Sequence, residues 1–385
     1  MAVQRVRVTP AVLDWALRER GYSTQDLAAS IRVPSSTIEA WLSGDEEPTV
    51  GQWSKLAKAL RRPRSIFLLP EPPESSVPPA LRTAVGRQSH DLRPDELLQV
   101  RRARRLQRYL SPLLSESGEA AQAIPQVPVR SSAEEAGQVL RRWLRVPLRT
   151  QLAWESGSQA LRGWREALEL RCVIVLQLQL GKDGMRGFSL LDDVVPVIGI
   201  NTAETNEARI FTAMHELTHL ASRAESACSF PPNAWRNSKS VERWCDAVAA
   251  SILLPETAVK QEVERLLSSS RPPSDDLGLA RRLASSFQTS LRASGLRLME
   301  LGLAADDLFQ IIERTYPNRD RDKPGGGRGG GQPAPERRLG EIGYRASEVF
   351  LDALNSRQLT ERDARDLLRL DGAELTELRS LVEMS

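Results

Sequence analysis

The 385-residue chain is short of histidine and cysteine, with three of each, of aromatic residues at 5%, and of long apolar runs. Three cysteines, an odd number without metal-ligand spacing, exclude a disulfide framework and point to a reducing compartment. No segment approaches the roughly 20 apolar residues of a membrane span. The start, MAVQRVRVTP, has no apolar core of the kind a secretory signal needs. A cytoplasmic protein without a membrane partner is expected. No charge sign dominates: 53 basic against 50 acidic residues leave a formal net charge of +3, too small at this length to argue for or against nucleic acid. What remains, 41% hydrophobic residues, describes a folded chain long enough for two or three domains.

Because histidine is scarce, its placement carries weight. Ile210 to Ala221 reads IFTAMHELTHLA and sets His215, Glu216 and His219 in the pattern H-E-x-x-H. On a helix, two histidines four residues apart project from one face. That is the spacing for two imidazole nitrogens on one Zn²⁺, with Glu216 beside them as general base for the attacking water. Asn206 can cap the helix and Glu207 suits its positive end. Ile210, Phe211, Met214, Leu217, Thr218 and Ala221 form an apolar stripe at helical spacing. The plainer alternative is a helix with two partly exposed histidines and an ordinary surface Glu. Upstream, Val194 to Ile200 predicts a strand that feeds the helix after a turn at Thr202 to Thr205. In zincin-type peptidases such a strand is an exposed edge that pairs with an extended substrate.

A catalytic zinc takes three protein ligands and keeps a place for water. His90 lies far upstream, in a segment that reads as a loop. Glu242 is the better third donor: it stands in the helical stretch Val241 to Leu254, with Asp246 four residues on along the same face. In the gluzincin arrangement one helix supplies a Glu ligand and, a turn later, an Asp that holds the far ring nitrogen of a ligand histidine. The competing reading is a solvated acidic face. Cys228 and Cys245 are soft donors that could compete; Cys245 lies about a hundred degrees around the helix from Asp246 and reads as a small buried residue.

The runs GFSLLDDVVPVIGIN, FTAMHELTHLA and VERWCDAVAASILLP, in that order, resemble the ImmA/IrrE family of bacterial metallopeptidases over about Ser131 to Leu303. The resemblance implies His215, His219 and Glu242 as zinc ligands and Glu216 as the catalytic Glu. Cys245, Asp246 and Val248 depart from the family's usual Ala, Asn and Phe. Asp246 keeps an acceptor, so its role behind the ligand survives. The resemblance also implies a substrate: a transcriptional repressor cleaved in response to stress, DNA damage or mobile-element signals.

At the N-terminus, four short helical stretches are predicted over Thr9–Arg20, Thr24–Ser30, Pro34–Leu42 and Val50–Leu60. Ser23 with Asp26 forms a capping box, and three residues separate the second stretch from the third. The stretch from about Thr9 to Leu69 is similar to the Xre/Cro family of helix-turn-helix domains. Ser35, Ser36, Thr37 and Glu39, near the start of the third helix, are where base-reading side chains would stand. That helix carries no Lys or Arg; the cations Lys55, Lys58, Arg61, Arg62 and Arg64 come in or after the fourth. DNA binding and a protein-contact or sensor role both remain open.

Pro70 to Pro79 reads as a proline-rich linker. Asp95 to Leu114 reads as a helix carrying Arg101, Arg102, Arg104, Arg105 and Arg108, either a nucleic-acid or acidic-partner surface or a solvated face. Ser132 with Glu135 opens a helix to Leu144, and Ser158 to Leu170 gives another. Strands over Arg171–Leu180 and Arg186–Leu191 join the Val194 strand in a small sheet. Three helical stretches follow Pro255, the last two looking like a degenerate helix-turn-helix for which plain packing is the simpler account. Pro317 to Arg337, rich in Gly and charge, is expected to be disordered. Helices are predicted at Tyr344–Asn355, Glu361–Leu368 and Gly372–Glu383.

The predicted architecture is mostly α: an all-α helix-turn-helix domain over 1–70, a linker and basic helix over 71–130, and an α+β zincin-like catalytic domain over 131–270. A helical region over 271–316, a linker over 317–337 and a small helical C-terminal region over 338–385 complete it. A zinc-dependent endopeptidase acting on a regulatory protein is the expected function. The alternative is an Xre-type DNA-binding regulator or antitoxin with a structural or sensory zinc.

Overall fold

The computed structural model describes residues 5–20, 22–73, 93–116, 123–129, 131–182, 184–223, 235–316 and 331–384, with the side chains of 235–239 set aside. His90, Cys228, residues 74–79 of the proline-rich linker and residues 317–330 lie outside the described residues. The chain divides into two compact units, residues 1–78 with 85–102, and residues 79–84 with 103–385.

The first unit is all α. Helices α1 (Pro10–Arg20), α2 (Thr24–Ile31), α3 (Ser35–Ser43) and α4 (Val50–Ala59) are followed by a 3₁₀ turn at Arg64–Leu68. Each start has a chemical cause. Ser23 and Asp26 exchange side-chain and backbone hydrogen bonds at the head of α2, and Thr49 and Gln52 do the same for α4. Between α2 and α3 the chain turns through Arg32 in the left-handed region and Pro34 in the extended one. Gly44, at φ 81°, ends α3 where a side chain would be strained. Leu13, Leu27, Ile38, Trp41, Leu56 and Phe67 close a core beneath these helices.

Helix α5 (Pro94–Glu116) begins in the first unit and ends in the second. Its arginines stand in different surroundings, with Arg105 and Arg108 exposed and Arg101, Arg102 and Arg104 partly buried. Arg101 is largely buried with its Nε 3.8 Å from Glu19, and burial together with the neighbouring Arg62 guanidinium lowers its pKa to about 10. Arg104 donates to Gln107 at 2.9 Å and Arg105 to Asp366 at 2.5 Å.

The second unit contains α6 (Ala133–Leu144), α7 (Leu148–Leu152), α8 (Gly157–Glu169), the strands β1 (Ile174–Leu178), β2 (Gly187–Leu190) and β3 (Val197–Asn201), and α9 (Asn206–Ser222). Then come α10 (Trp235–Leu253), α11 (Glu256–Leu267), α12 (Asp276–Phe287), α13 (Leu291–Glu300) and α14 (Leu308–Thr315). The chain closes with α15 (Ala334–Ile342), α16 (Tyr344–Asn355), α17 (Glu361–Leu368) and α18 (Gly372–Glu383). One apolar core joins α6, α8, α9 and α10 to α12, α13 and α14, through residues such as Leu140, Trp164, Leu217, Ile252, Phe287 and Ile312. The helices after α11 are therefore packing elements of this unit, as the simpler account held.

The sheet has the order β1-β3-β2, with β1 parallel and β2 antiparallel to β3. This corrects the expectation that the strand leading into the histidine helix is an exposed edge. β3 is central and every residue in it is buried, because it is apolar on both faces and has a partner on each side. The strand edge on the side of the histidine helix belongs to β2. β1 is attended by α15: Gln177 donates to the Gly340 carbonyl at 3.1 Å, and Arg165 reaches the same carbonyl at 2.7 Å. Here too an expectation is corrected, since Ala334 to Arg337, read as disordered, open α15 behind Pro333. Gly343, at φ 88°, joins α15 to α16, and a Cβ there would lie 2.1 Å from Glu169 Oε1. That close approach buries Glu169, and burial raises its carboxyl pKa despite the Arg165 ion pair at 2.7 Å.

Candidate metal centre

Helix α9 delivers the two histidines from a buried position. Its cap is Thr205, whose hydroxyl accepts from Ala208 N at 3.3 Å, and not Asn206, which is the first helical residue. The apolar stripe read in the sequence is largely buried in the core, with Phe211 partly so. Helix α10 packs beside α9 through Val248, Ala249 and Ile252 and presents Glu242 and Asp246 to it.

Four side chains from these two helices converge. His215 Nε2 and His219 Nε2 are 2.9 Å apart, and the Glu242 carboxylate stands 3.3 Å from each. Donor atoms about 2.0–2.1 Å from one tetrahedral ion stand about 3.3–3.4 Å apart; the distances from His215 to Oε2 and from His219 to Oε1 of Glu242 match that spacing, and the nitrogen–nitrogen distance is shorter. His215 is 0% exposed, which removes the alternative of two partly exposed surface histidines. Its other nitrogen, Nδ1, lies 2.7 Å from Asp246 Oδ1. A proton held there leaves the Nε2 lone pair free to bind metal. Asp246 thus stands beside the ring nitrogen of His215 that faces away from Glu242.

The Glu242 carboxylate and the His219 imidazole stabilise one another's charged forms. Burial alone would raise the Glu242 carboxyl, yet hydrogen bonds and charge from His215 and His219 hold it well below the usual carboxylate range. Burial works against a charged His219, but contacts with Cys245 and Glu242 outweigh it and raise the imidazole well above its ordinary value. Cys245 Sγ lies 3.8 Å from His219 Nδ1, on the side of the ring away from Glu242. Burial pushes its thiol up, so it is a neutral neighbour of the ligand ring and no rival for the metal. Among the described residues, His215, His219 and Glu242 form the group able to hold a metal ion, with donor atoms all within 4.8 Å.

Glu216, one residue and about a hundred degrees on from His215, is 1% exposed. Its Oε2 accepts from Ser189 Oγ at 2.9 Å, whereas Oε1 is buried without a protein partner. Sequence reasoning missed Ser189. The one signal for it was strand alternation, which puts Gly187 and Ser189 on the same face of β2. Among the described residues β2 pairs with a strand on one side only. Asn201 N donates to Arg186 O at 2.9 Å, so the antiparallel ladder turns the backbone groups of Phe188 and Leu190 towards β3 and those of Gly187, which is buried, and Ser189, which is half-buried, away from it.

In the first unit, Ser36 and Glu39 of α3 are exposed and Ser35 and Thr37 half-buried, with Ile38 and Trp41 turned into the core. Of the nearby cations, Arg62 is stacked over Trp15 and paired with Glu19, and Arg64 is stacked over Trp53.

A histidine pair and a carboxylate from two packed helices, with a second carboxylate beside them and a small sheet alongside, is the arrangement of a metal-dependent peptidase. Comparison with known families agrees: residues 172–299 match the family model of the IrrE N-terminal-like peptidase domain, and residues 13–67 match that of a helix-turn-helix domain. The chain thus carries an IrrE/ImmA-like metallopeptidase domain behind an N-terminal helix-turn-helix domain of Xre type. No curated protein and no solved structure gives a significant match to the chain.

Proposed function

We propose that the chain is a zinc-dependent endopeptidase that cleaves a regulatory protein, a transcriptional repressor in a stress, DNA-damage or mobile-element response. The observation that carries the zinc reading is the triangle of His215, His219 and Glu242 donors at 2.9 to 3.3 Å. Nitrogen and carboxylate donors in that ratio suit Zn²⁺ in a catalytic site. Bound there, zinc would supply a Lewis acid for the scissile carbonyl and acidify the attacking water towards a pKa of about 7. His215 is held from behind by Asp246. Glu216 would take the proton of the attacking water and pass it to the leaving amine. An extended substrate would pair its backbone with the amides and carbonyls of β2 that point away from β3. The choice of a repressor as substrate follows from the family resemblance alone. Among the described residues, no helix is long and apolar enough to cross a membrane, in keeping with cytoplasmic action.

The test is metal content beside cleavage. His219→Ala and Glu242→Ala are expected to lose zinc and activity together. Asp246→Ala is expected to keep the fold and bind zinc about 10- to 100-fold more weakly, read by competition with a chromogenic chelator. Full zinc retention by Glu242→Ala would remove Glu242 from the ligand set.

For the helix-turn-helix unit we propose DNA binding through Ser35, Ser36, Thr37 and Glu39. With no cation on α3 and two nearby arginines stacked on tryptophans, binding is expected to be weak and steeply salt-dependent. A footprint that survives at high salt and is lost on changing Ser36 and Thr37 would instead mark a base-reading helix of high specificity.

A further inference from the structure

We propose that Ser189 is the positioning residue of the general base, its hydroxyl fixing the Glu216 carboxylate from strand β2; this rests on the peptidase reading above. Glu216 is almost fully buried, and a buried carboxylate with a single anchor owes its orientation to that anchor. Ser189 Oγ provides it, donating to Oε2 at 2.9 Å. The other oxygen, Oε1, has no protein partner. The hydroxyl therefore divides the carboxylate into one oxygen that is held and one that is free to accept a proton.

The strand reaches the helix only because of a second residue. A Cβ at Gly187 would lie 2.5 Å from Thr212 Cγ2, 2.8 Å from the Gly199 carbonyl and 3.5 Å from Glu216 Cγ. Any side chain there would push β2 off α9 and lengthen the Ser189 contact. The β2–β3 turn beyond it is pinned as well. Gln107 donates to the Leu190 and Val195 carbonyls at 3.2 and 2.9 Å, and Ser111 to Asp192 at 3.0 Å. Ser189 thus belongs to a strand fixed at both ends. It also does two things at once, turning its amide and carbonyl away from β3 and its hydroxyl to the base. A polypeptide paired with that backbone would steady the same residue that orients Glu216, so binding and readiness of the base would be coupled through one residue.

The experiment uses the zinc-loaded full chain and acetohydroxamate, a small zinc chelator able to hydrogen-bond to a carboxylate beside the metal, with the dissociation constant read by calorimetry. Ser189→Ala is expected to leave zinc content unchanged and to weaken acetohydroxamate roughly tenfold, the scale of one hydrogen bond to a charged group. Ser189→Thr, which keeps the hydroxyl, should restore binding to within about twofold. In a Glu216→Gln background the same Ser189→Ala change should cost less than about twofold, because the Gln amide, whose one oxygen receives the Ser189 hydroxyl, has no second acceptor left for the hydroxamate. Unchanged binding by Ser189→Ala overturns the proposal. So does an equal loss for Ser189→Thr, an equal loss in the Glu216→Gln background, or a loss of zinc from Ser189→Ala, each of which would assign Ser189 a purely structural role. A parent chain that takes up zinc and acetohydroxamate while these variants behave alike leaves the peptidase reading standing; a parent that takes up neither removes that reading and this proposal together.

Discussion

Glu216→Gln is expected to lower peptide-bond cleavage by about 10²- to 10⁴-fold, the scale of losing general acid–base help, while zinc stays near one ion per chain. Gln keeps the length of Glu and can still receive the Ser189 hydroxyl, so the surroundings need not move. It cannot take a proton from water. Metal content and cleavage of a candidate repressor, measured on the same preparation, separate this outcome from loss of the site. A chain in which Glu216→Gln leaves the cellular phenotype intact while His219→Ala abolishes it would have a structural zinc and no peptidase. That is the result that favours the regulator or antitoxin reading.

The second large effect is on stability. Arg297 is 2% exposed, yet it donates to the Leu254 carbonyl at 2.9 Å and to Glu300 at 2.9 Å, and it pairs with Glu134. Glu134 also accepts from Glu256 N at 3.2 Å. One guanidinium thereby ties the start of α6, the end of α10 and the start of α11 to α13. Arg297→Ala leaves the Leu254 carbonyl and part of the Glu134 charge unpaired, and breaking such a buried pair costs about 3–5 kcal/mol. Urea unfolding should show the free energy of unfolding falling by that amount, with Glu134→Gln in the same chain recovering part of it. A pH dependence follows. Burial raises the Glu134 carboxyl, but Arg297 and the Glu256 amide outweigh it and lower it overall. A carboxyl depressed on folding stabilises above its unfolded pKa, and that contribution is lost as pH falls through the folded value. Acid sensitivity of this origin should shrink in Arg297→Ala, where the Glu256 amide still lowers the carboxyl.

Much of the site was legible because metal chemistry imposes spacing. Two of three histidines four residues apart, and a Glu and an Asp four apart on a later helix, admit few other uses, and the structure brings all four together. Strand order was not legible. Val197 to Asn201 and Gly187 to Leu190 are both short apolar runs, and hydrogen-bond partnership leaves no mark on periodicity. The unbroken apolar character of β3 was nonetheless a sign of a central strand. Thr205 and Asn206 are both good caps, so the sequence alone could not choose between them. Helix α15 was concealed by the Gly-, Pro- and charge-rich residues before it, although Pro335 in its first turn and Leu339 and Ile342 on its inner side are ordinary helix marks. Ser189 gave least warning, since one serine in a strand becomes meaningful only when its neighbour across the sheet and helix is known.

The burial of α9 has a consequence for the apo-protein. Helix α9 is wedged in a core that extends from Leu140 of α6 to Ile312 of α14, and none of that apolar contact involves an ion. Small zinc domains that lack such a core collapse when the metal is stripped. Here the proposed ligands are mounted on a scaffold that stands without an ion, so on the zinc reading little chain entropy has to be surrendered when metal arrives. Stripping metal from such a chain is expected to remove activity and leave the fold in place, so that metal supply would set how much of the protein is active without altering how much of it is folded.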